Sequence, residues 1–456
     1  MFPKICAIIV FVGVMATPLH ATDASATAQA RIAELERQLA ATQSCALAPD
    51  DLPVQLLRKL ARQADNNARV QLGLASGPLM IPDDLLSAHV PGEYIVTLTP
   101  EALPLSGPAD VTARFGIPAA QVLHSYGAAL SGFAVRMDLT TRDRLLVDPQ
   151  VAGVAQNGYV FASSITPPLP APSPVVNPMV HPAQATPGLI NVYVFDTGIR
   201  SSHIDLRGRV NASGFSFFEN GIDTEDCAGH GTHVAARIAG QQLGLTDKAR
   251  LTSVKVIDRF GTGDEATVIA GIDWVLAQPG AVKLVNMSLT RRPVADTGPL
   301  DMAVQALIDA GALVVVAAGN AAADAGDFSP ARVPGAITVG SVTDSRLSDF
   351  SNAGTTVDLY APGEDIPSAS IRDVCAVRAQ SGTSMAAPHV TGLLAEILAQ
   401  GVSPELALST LISQAERIAT GAYEGEVERL ILKSVDTPVT LCPDRPKTGI
   451  SGELEP

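Results

Sequence analysis

A chain of 456 residues that is 46% apolar and only 17% charged can bury a large core, which excludes general disorder. Its length allows one large domain with one or two small ones. A formal charge of −15 and the absence of a long basic stripe leave nothing to neutralise phosphates, so no nucleic-acid partner is expected.

Lys4, the apolar run over residues 5–16 and the sequence Thr17-Pro18-Leu19-His20-Ala21 read as an export signal over 1–21. That predicts an extracellular or periplasmic protein. The apolar run is short for a bilayer span, which favours a cleaved signal over the alternative of an uncleaved anchor, and no later run is long enough, so the exported part is not expected to cross a membrane. Cys6 lies in the signal, leaving Cys45, Cys227, Cys375 and Cys442. An even count in an oxidising compartment permits disulfides, with the pairing open. No pair has CxxC spacing, which argues against zinc.

Residues 22–88 read as a helical pro-segment, with Ile32, Leu35 and Leu39 on one face and Val54, Leu57 and Leu60 on another. Residues 89–162 read as a compact α+β unit with strands at 93–98, 131–137 and 151–160. A proline-rich linker follows over 163–187, where prolines can join neither ladder nor helix. From 188 to 435, apolar strands at 190–195, 251–257, 282–287 and 313–317 alternate with helical patterns at 232–240, 264–277 and 299–310. This predicts a three-layer α/β domain with a mainly parallel sheet between helices and working residues beyond the strands' carboxyl ends. Residues 436–456 form a tail.

Three segments carry chemistry. Asp196 ends an apolar strand at a glycine turn, suited either to orienting an imidazole or to bonding its own backbone. His230, in Gly229-His230-Gly231-Thr232-His233, has small neighbours and can act as a general base; His233 reads as structural, since HExxH is absent. Ser384 precedes a long helix, with Pro388 placed near the first turn. Its N–H would then be free in a positive local dipole that favours an oxyanion, though a plain N-cap serine fits too. Asn320, after the strand at 313–317, is either a further donor or a turn residue.

Taken together, Asp196-Thr197-Gly198-Ile199, His230-Gly231-Thr232-His233-Val234-Ala235, Ala317-Ala318-Gly319-Asn320 and the run from Gly382 to Val390 resemble the signatures of subtilisin-like serine proteases, in the order Asp, His, Ser. The look is that of the proteinase K branch. The resemblance implies a serine endopeptidase with Asp196, His230 and Ser384 as triad and Asn320 in the oxyanion hole. It also implies a substrate groove walled by Gly261, Thr262 and Gly263 on one side and by Ser288, Leu289, Thr290, Ala317 and Gly319 on the other. No cofactor is implied for the chemistry. A structural calcium held by Asp358 and the carbonyls of Pro334 and Ala336 is implied by family habit. Residues 89–162 resemble the subtilisin propeptide, a ferredoxin-like α+β domain that plugs the groove, so the expected partners are protein or peptide substrates and the chain's own propeptide. Self-cleavage is expected within 158–166.

Some features depart from the family pattern or refine it. Where relatives read Ser-Leu-Gly-Gly, this chain reads Ser288-Leu289-Thr290-Arg291-Arg292, so that the Thr290 side chain narrows the specificity pocket and the arginines either cap it or project to solvent. Asp264 and Glu265 on the opposite wall suggest a preference for basic substrate residues, or simply a helix start. Cys227 lacks its usual family partner because Arg259 stands there, leaving it free or differently paired. Two rival readings remain: a binding protein with a retained propeptide, and an aspartic protease using the D-T-G triplets at Asp196 and Asp296.

Overall fold

The computed structural model describes residues 87–164, 189–218, 224–280, 282–293, 298–343, 346–418 and 429–431. The export signal, nearly all of the helical pro-segment, the proline-rich stretch, Asp296, Cys45, Cys442 and the tail lie outside the described residues.

The first unit runs β1 (His89–Leu98), α1 (Pro108–Phe115), β2 (Val122–Tyr126), β3 (Gly132–Arg136), α2 (Leu139–Leu146) and β4 (Val151–Ala162). Its antiparallel order β4-β1-β3-β2 is that of a ferredoxin-like unit. Period-two alternation divides its faces. Tyr94, Val96, Leu98, Phe133 and Val135 pack under Val111, Phe115 and Leu145 of the helices, whereas Ile95 and Ala134 face the larger domain. Sequence patterning missed β2 and both helices. The entry to α2 was nevertheless marked: Asp138 accepts the Thr141 N–H at 2.8 Å as an N-cap.

The larger domain continues β5 (Ile190–Asp196), β6 (Phe215–Ser216), α3 (His230–Ala239), β7 (Ala249–Lys255), β8 (Thr262–Asp264), α4 (Glu265–Ala277), β9 (Leu284–Met287), β10 (Leu289–Thr290), α5 (Pro299–Asp309) and β11 (Leu313–Ala317). Then come β12 (Ile337–Thr343), β13 (Arg346–Leu347), β14 (Leu359–Pro362), β15 (Ile366–Ala369), β16 (Val377–Gln380), α6 (Thr383–Ala399), α7 (Pro404–Ser413), β17 (Glu416–Ile418) and β18 (Arg429–Ile431). Strands β14-β12-β11-β9-β5-β7-β6 form a parallel stack.

Both faces of that sheet are covered, which is why its strands read as continuous apolar runs. Tyr193, Phe195, Met287 and Val316 pack against Val268, Ile272, Val304 and Leu307 of α4 and α5. Val192, Val194, Leu284 and Val315 pack against Val234 and Ile238 of α3 and Val390 and Leu394 of α6. Each such buried aliphatic side chain contributes about 1.5–3 kcal/mol. From β5 the chain builds β7 on one side and β9 on the other, so a crevice opens at the carboxyl ends where the order reverses.

The first unit docks on α4 through polar contacts that sequence spacing does not reveal. Asp273 Oδ1 accepts three consecutive N–H groups, from Gly127, Ala128 and Ala129, at 3.0, 2.7 and 2.8 Å. Tyr126 donates its hydroxyl to the Ala266 carbonyl at 3.0 Å. Asn157 Oδ1 accepts the Ala266 N–H at 3.0 Å, beside Asp264, which accepts the Thr267 N–H at 3.0 Å. Two chains of contact therefore cap one helix start.

Two expectations about element ends are corrected. β4 runs to Ala162 rather than stopping at 160, because β8 and β10 supply ladder partners for its last residues. Pro388 lies in the second turn of α6, not the first. Having no N–H, it leaves the Ser384 carbonyl without its intrahelical donor, and Ser288 Oγ donates to that carbonyl at 3.1 Å instead.

Candidate active site

Asp196 closes β5, and the chain turns at Gly198 with φ of 111°. A β-carbon there would sit 2.7 Å from the carbonyls of Thr224 and Glu225, so only glycine lets these segments meet. Gly231 allows the equivalent approach from α3: its β-carbon would be 2.2 Å from the Gly198 carbonyl and 3.0 Å from Asp196. His230 is thereby brought over the carboxylate, and its Nδ1 lies 2.7 Å from Asp196 Oδ1. Asp196 Oδ1 also accepts the Thr197 N–H at 2.7 Å.

Asp226 holds this junction, a role not anticipated from sequence. Its Oδ1 accepts from Thr197 Oγ1 and from the N–H groups of Ala228 and Gly229, and its Oδ2 accepts the Thr232 N–H, at 2.8–2.9 Å. It satisfies orphan donors at the start of α3, where the N-cap residue is Gly229 and has no side chain to do so. An Asp three residues before a glycine-initiated helix was the available signal.

Asp196, His230 and Ser384 are 1%, 7% and 0% exposed. Ser384 Oγ donates to the Ser288 carbonyl at 3.1 Å, and His230 Nε2 has no hydrogen-bond partner among the described residues. The Ser384 N–H is not free as expected: it donates to the Ser163 carbonyl at 3.0 Å.

That carbonyl belongs to a strand of the first unit lying in the cleft. Tyr159, Val160 and Phe161 pair antiparallel with Asp264, Gly263 and Thr262, while Phe161 and Ala162 pair with Thr290 and Leu289. The Ala162 N–H reaches the Gly261 carbonyl and the Ser163 N–H reaches the Ser288 carbonyl, both at 3.0 Å. A peptide thus completes a three-stranded ladder by β-addition. Gly382 marks where it ends. A β-carbon there would be 2.7 Å from Ser163 O, 2.9 Å from Ser164 Cα and 3.2 Å from Asn320 Nδ2.

Asn320 is oriented by Thr383, another residue not singled out from sequence. Asn320 Oδ1 accepts from the Thr383 N–H at 2.9 Å and from its hydroxyl at 2.8 Å. A backbone N–H can only donate, so the amide oxygen is fixed at that end and Nδ2 turns toward the Ser163–Ser164 peptide. Asn352 holds the same loop, accepting the N–H groups of Ala321 and Ala323 and donating to the Ala318 carbonyl.

Of the residues expected to wall the groove, Ala317 is placed elsewhere. It follows Val315 onto the same face of β11 and packs into the core beside α6. Gly319 turns with φ of 101°, and its β-carbon would be 3.3 Å from Thr290 Oγ1. The departures from the family pattern also resolve. Arg291 is buried and ion-paired with Glu265, not solvated. Arg292 pairs with Asp327 at 2.8 Å and lies over the Phe328 ring. Glu265 is neutralised by Arg291, whereas Asp264 caps α4, accepting from the Thr267 N–H and hydroxyl and from Asn157 Nδ2.

His233 is held neutral, its pKa pushed down to about 3 by burial, and its Nε2 lies 2.9 Å from the Ile366 carbonyl. No group of three or more His, Cys, Asp or Glu able to hold a metal occurs among the described residues. Asp358 is the carboxylate of the implied calcium site. Burial raises its pKa, its Oδ2 accepts the Thr338 N–H at 2.8 Å, and among the described residues no cationic side chain is ion-paired with it. Such a carboxylate, with acceptor capacity to spare, fits an oxygen-ligated cation. Cys227 and Cys375 are both disulfide-bonded, so Cys227 is not a free thiol.

The doubly wound sheet thus holds an imidazole on a buried carboxylate at its switch point, with a strand laid against a helix-start serine. Residues 190–431 match the subtilase family model. The chain is 33% identical over 392 residues to an alkaline serine exoprotease A of Vibrio alginolyticus, covering 78% of this chain and 70% of the relative. It is 41% identical over 295 residues to an extracellular serine proteinase of Thermus sp. strain Rt41A, covering 63% and 71%. A crystal structure of a cold-adapted subtilisin-like serine proteinase aligns with 40% identity and a TM-score of 0.50, over 55% of this chain and 90% of that one. The chain belongs to the subtilase family and is a serine endopeptidase.

Proposed function

We propose that Asp196, His230 and Ser384 are the catalytic triad of a self-processing zymogen whose first cut falls between Ser163 and Ser164. The observation that carries this is the pair of hydrogen bonds on Ser163: its carbonyl accepts the Ser384 N–H and its N–H donates to Ser288 O. These clamp one peptide bond beside the nucleophile. Rotation of Ser384 away from Ser288 O brings its hydroxyl toward His230 Nε2, which takes the proton as Oγ attacks the Ser163 carbonyl carbon. The Ser384 N–H and Asn320 Nδ2 hold the resulting oxyanion. His230 then protonates the departing Ser164 nitrogen, and water releases the acyl-enzyme. Asp196 fixes the imidazole by accepting from Nδ1.

The docked first unit acts as intramolecular inhibitor until it leaves, after which protein or peptide substrates occupy the same ladder. Export from the cytoplasm fits the signal-like start and the extracellular relative. Among the described residues no helix is long and apolar enough to cross a membrane. Asp358, with the carbonyls of Pro334 and Ala336, would hold a structural calcium that neutralises a buried charge and takes no part in bond cleavage.

Expressed full-length, the chain is expected to yield a fragment beginning at Ser164 by mass spectrometry, and Ser384→Ala is expected to remain intact. Purified Ser384→Ala protein that still acquires a Ser164 terminus would falsify the assignment.

A further inference from the structure

We propose that Glu265 and Arg291 form a strap across the outer end of the cleft that selects glycine at the sixth residue before the scissile bond. The proposal rests on the peptidase reading above and on Ser163–Ser164 as the bond in register. Glu265 opens α4 immediately after the β8 wall, and Arg291 follows directly on the β10 wall. The two side chains, each 3% exposed, form an ion pair that joins the walls.

The strap meets the bound strand at Gly158. The Gly158 N–H donates to Glu265 Oε2 at 3.2 Å, so Glu265 extends the backbone ladder by one position. A β-carbon on Gly158 would fall 1.7, 2.3 and 2.7 Å from Nη1, Cζ and Nη2 of Arg291. Gly158 is not among the glycines with positive φ, so its backbone does not require glycine. The guanidinium does.

Arg291 has little room to yield. Its backbone N–H and carbonyl are both bonded to Ser329 at 3.0 Å, fixing the root of the side chain. Swinging the guanidinium out would strand Glu265 as a buried carboxylate, which is far costlier than losing an exposed pair. By contrast, the next three residues toward the cut, Tyr159, Val160 and Phe161, bury full side chains in the core around the cleft. A substrate can therefore carry large residues up to the fifth position, and then must either begin there or pass beneath the strap as glycine.

Two measurements test this. In the first, full-length protein is expressed and allowed to mature, then given quenched fluorescent peptides of sequence Asn-Xaa-Tyr-Val-Phe-Ala-Ser-Ser with Xaa as Gly, Ala or Val. The Gly peptide is expected to exceed the Ala peptide in kcat/KM by about tenfold or more, with Val lower still. The difference is expected to shrink to about twofold in Arg291→Ala and in the charge-balanced Glu265→Gln/Arg291→Ala variant. In the second, needing no catalysis, Gly158→Ala is placed in the uncleaved Ser384→Ala chain and amide hydrogen exchange is followed at 158–163. Protection is expected to fall about tenfold and to return with Glu265→Gln/Arg291→Ala. Equal cleavage of Gly and Ala peptides, discrimination that survives loss of Arg291, or unchanged exchange overturns the strap. Failure to cleave even the Gly peptide refutes the peptidase reading, while the exchange arm still decides the strap.

Discussion

Thr383→Val separates the orientation of Asn320 from its presence. Thr383 anchors the Asn320 amide twice, through its N–H at 2.9 Å and its hydroxyl at 2.8 Å, and the same hydroxyl accepts the Gly319 N–H at 3.1 Å. Valine has nearly the same shape, keeps the backbone anchor and removes the hydroxyl one. In subtilisin, of the same family, deleting the whole amide donor costs about 2.7–4 kcal/mol of transition-state stabilisation. Loosening one of two anchors should cost about half, roughly 1.5–2 kcal/mol, or a ten- to thirtyfold fall in kcat. KM should change little, because the donor matters most once charge develops on the oxygen. Stability should drop by about 1–3 kcal/mol, since the buried Gly319 N–H loses its acceptor. Steady-state kinetics on one peptide, with melting curves, would compare Thr383→Val, Thr383→Ser and Asn320→Ala. Serine should rescue most of the rate. If Thr383→Val keeps kcat within about twofold of wild type while Asn320→Ala loses about a hundredfold, Thr383 does not position the amide and the reasoning is wrong.

Acidification should loosen the docked first unit through His124, whose ring lies 6.0 Å from Tyr126 and 4.7 Å from Phe217. Burial pushes its pKa down to about 4, with Glu93 pulling weakly the other way. A depressed histidine contributes stability that is present above about 6.5 and is lost as pH falls toward 4, at most about 3 kcal/mol. Melting temperatures of the Ser384→Ala chain between pH 7.5 and 4 should fall more steeply than those of a His124→Phe version; parallel curves would reject the role. Chelation should lower the melting temperature of the wild-type chain, and Asp358→Asn should remove the difference. Identical melting with and without chelator would discard the calcium site.

Much of this protein was legible along the chain because its signals are local. Buried strands such as 313–317 announce themselves by continuous apolarity, and α4 and α5 by period and by their first-turn residues. Asp196, His230, Ser384 and Asn320 stand in short motifs whose glycines exist to permit close approach, so their neighbourhoods are written beside them. The two helices of the first unit carried weaker patterns, and the short β2 has no strong alternation; tertiary packing decided them.

Other features have no local signature. That Ser163 offers its carbonyl to Ser384, that Thr383 sorts the amide of Asn320, that Asp226 caps α3 in place of Gly229, and that Arg291 pairs with Glu265 rather than with solvent all depend on side chains from distant segments. Residue order settled which chemical groups the chain possesses and the periodicity that forms its elements. Only the folded backbone decided which of those groups face one another, because a polar partner is chosen by position in space and by the cost of leaving a buried donor or charge unmatched.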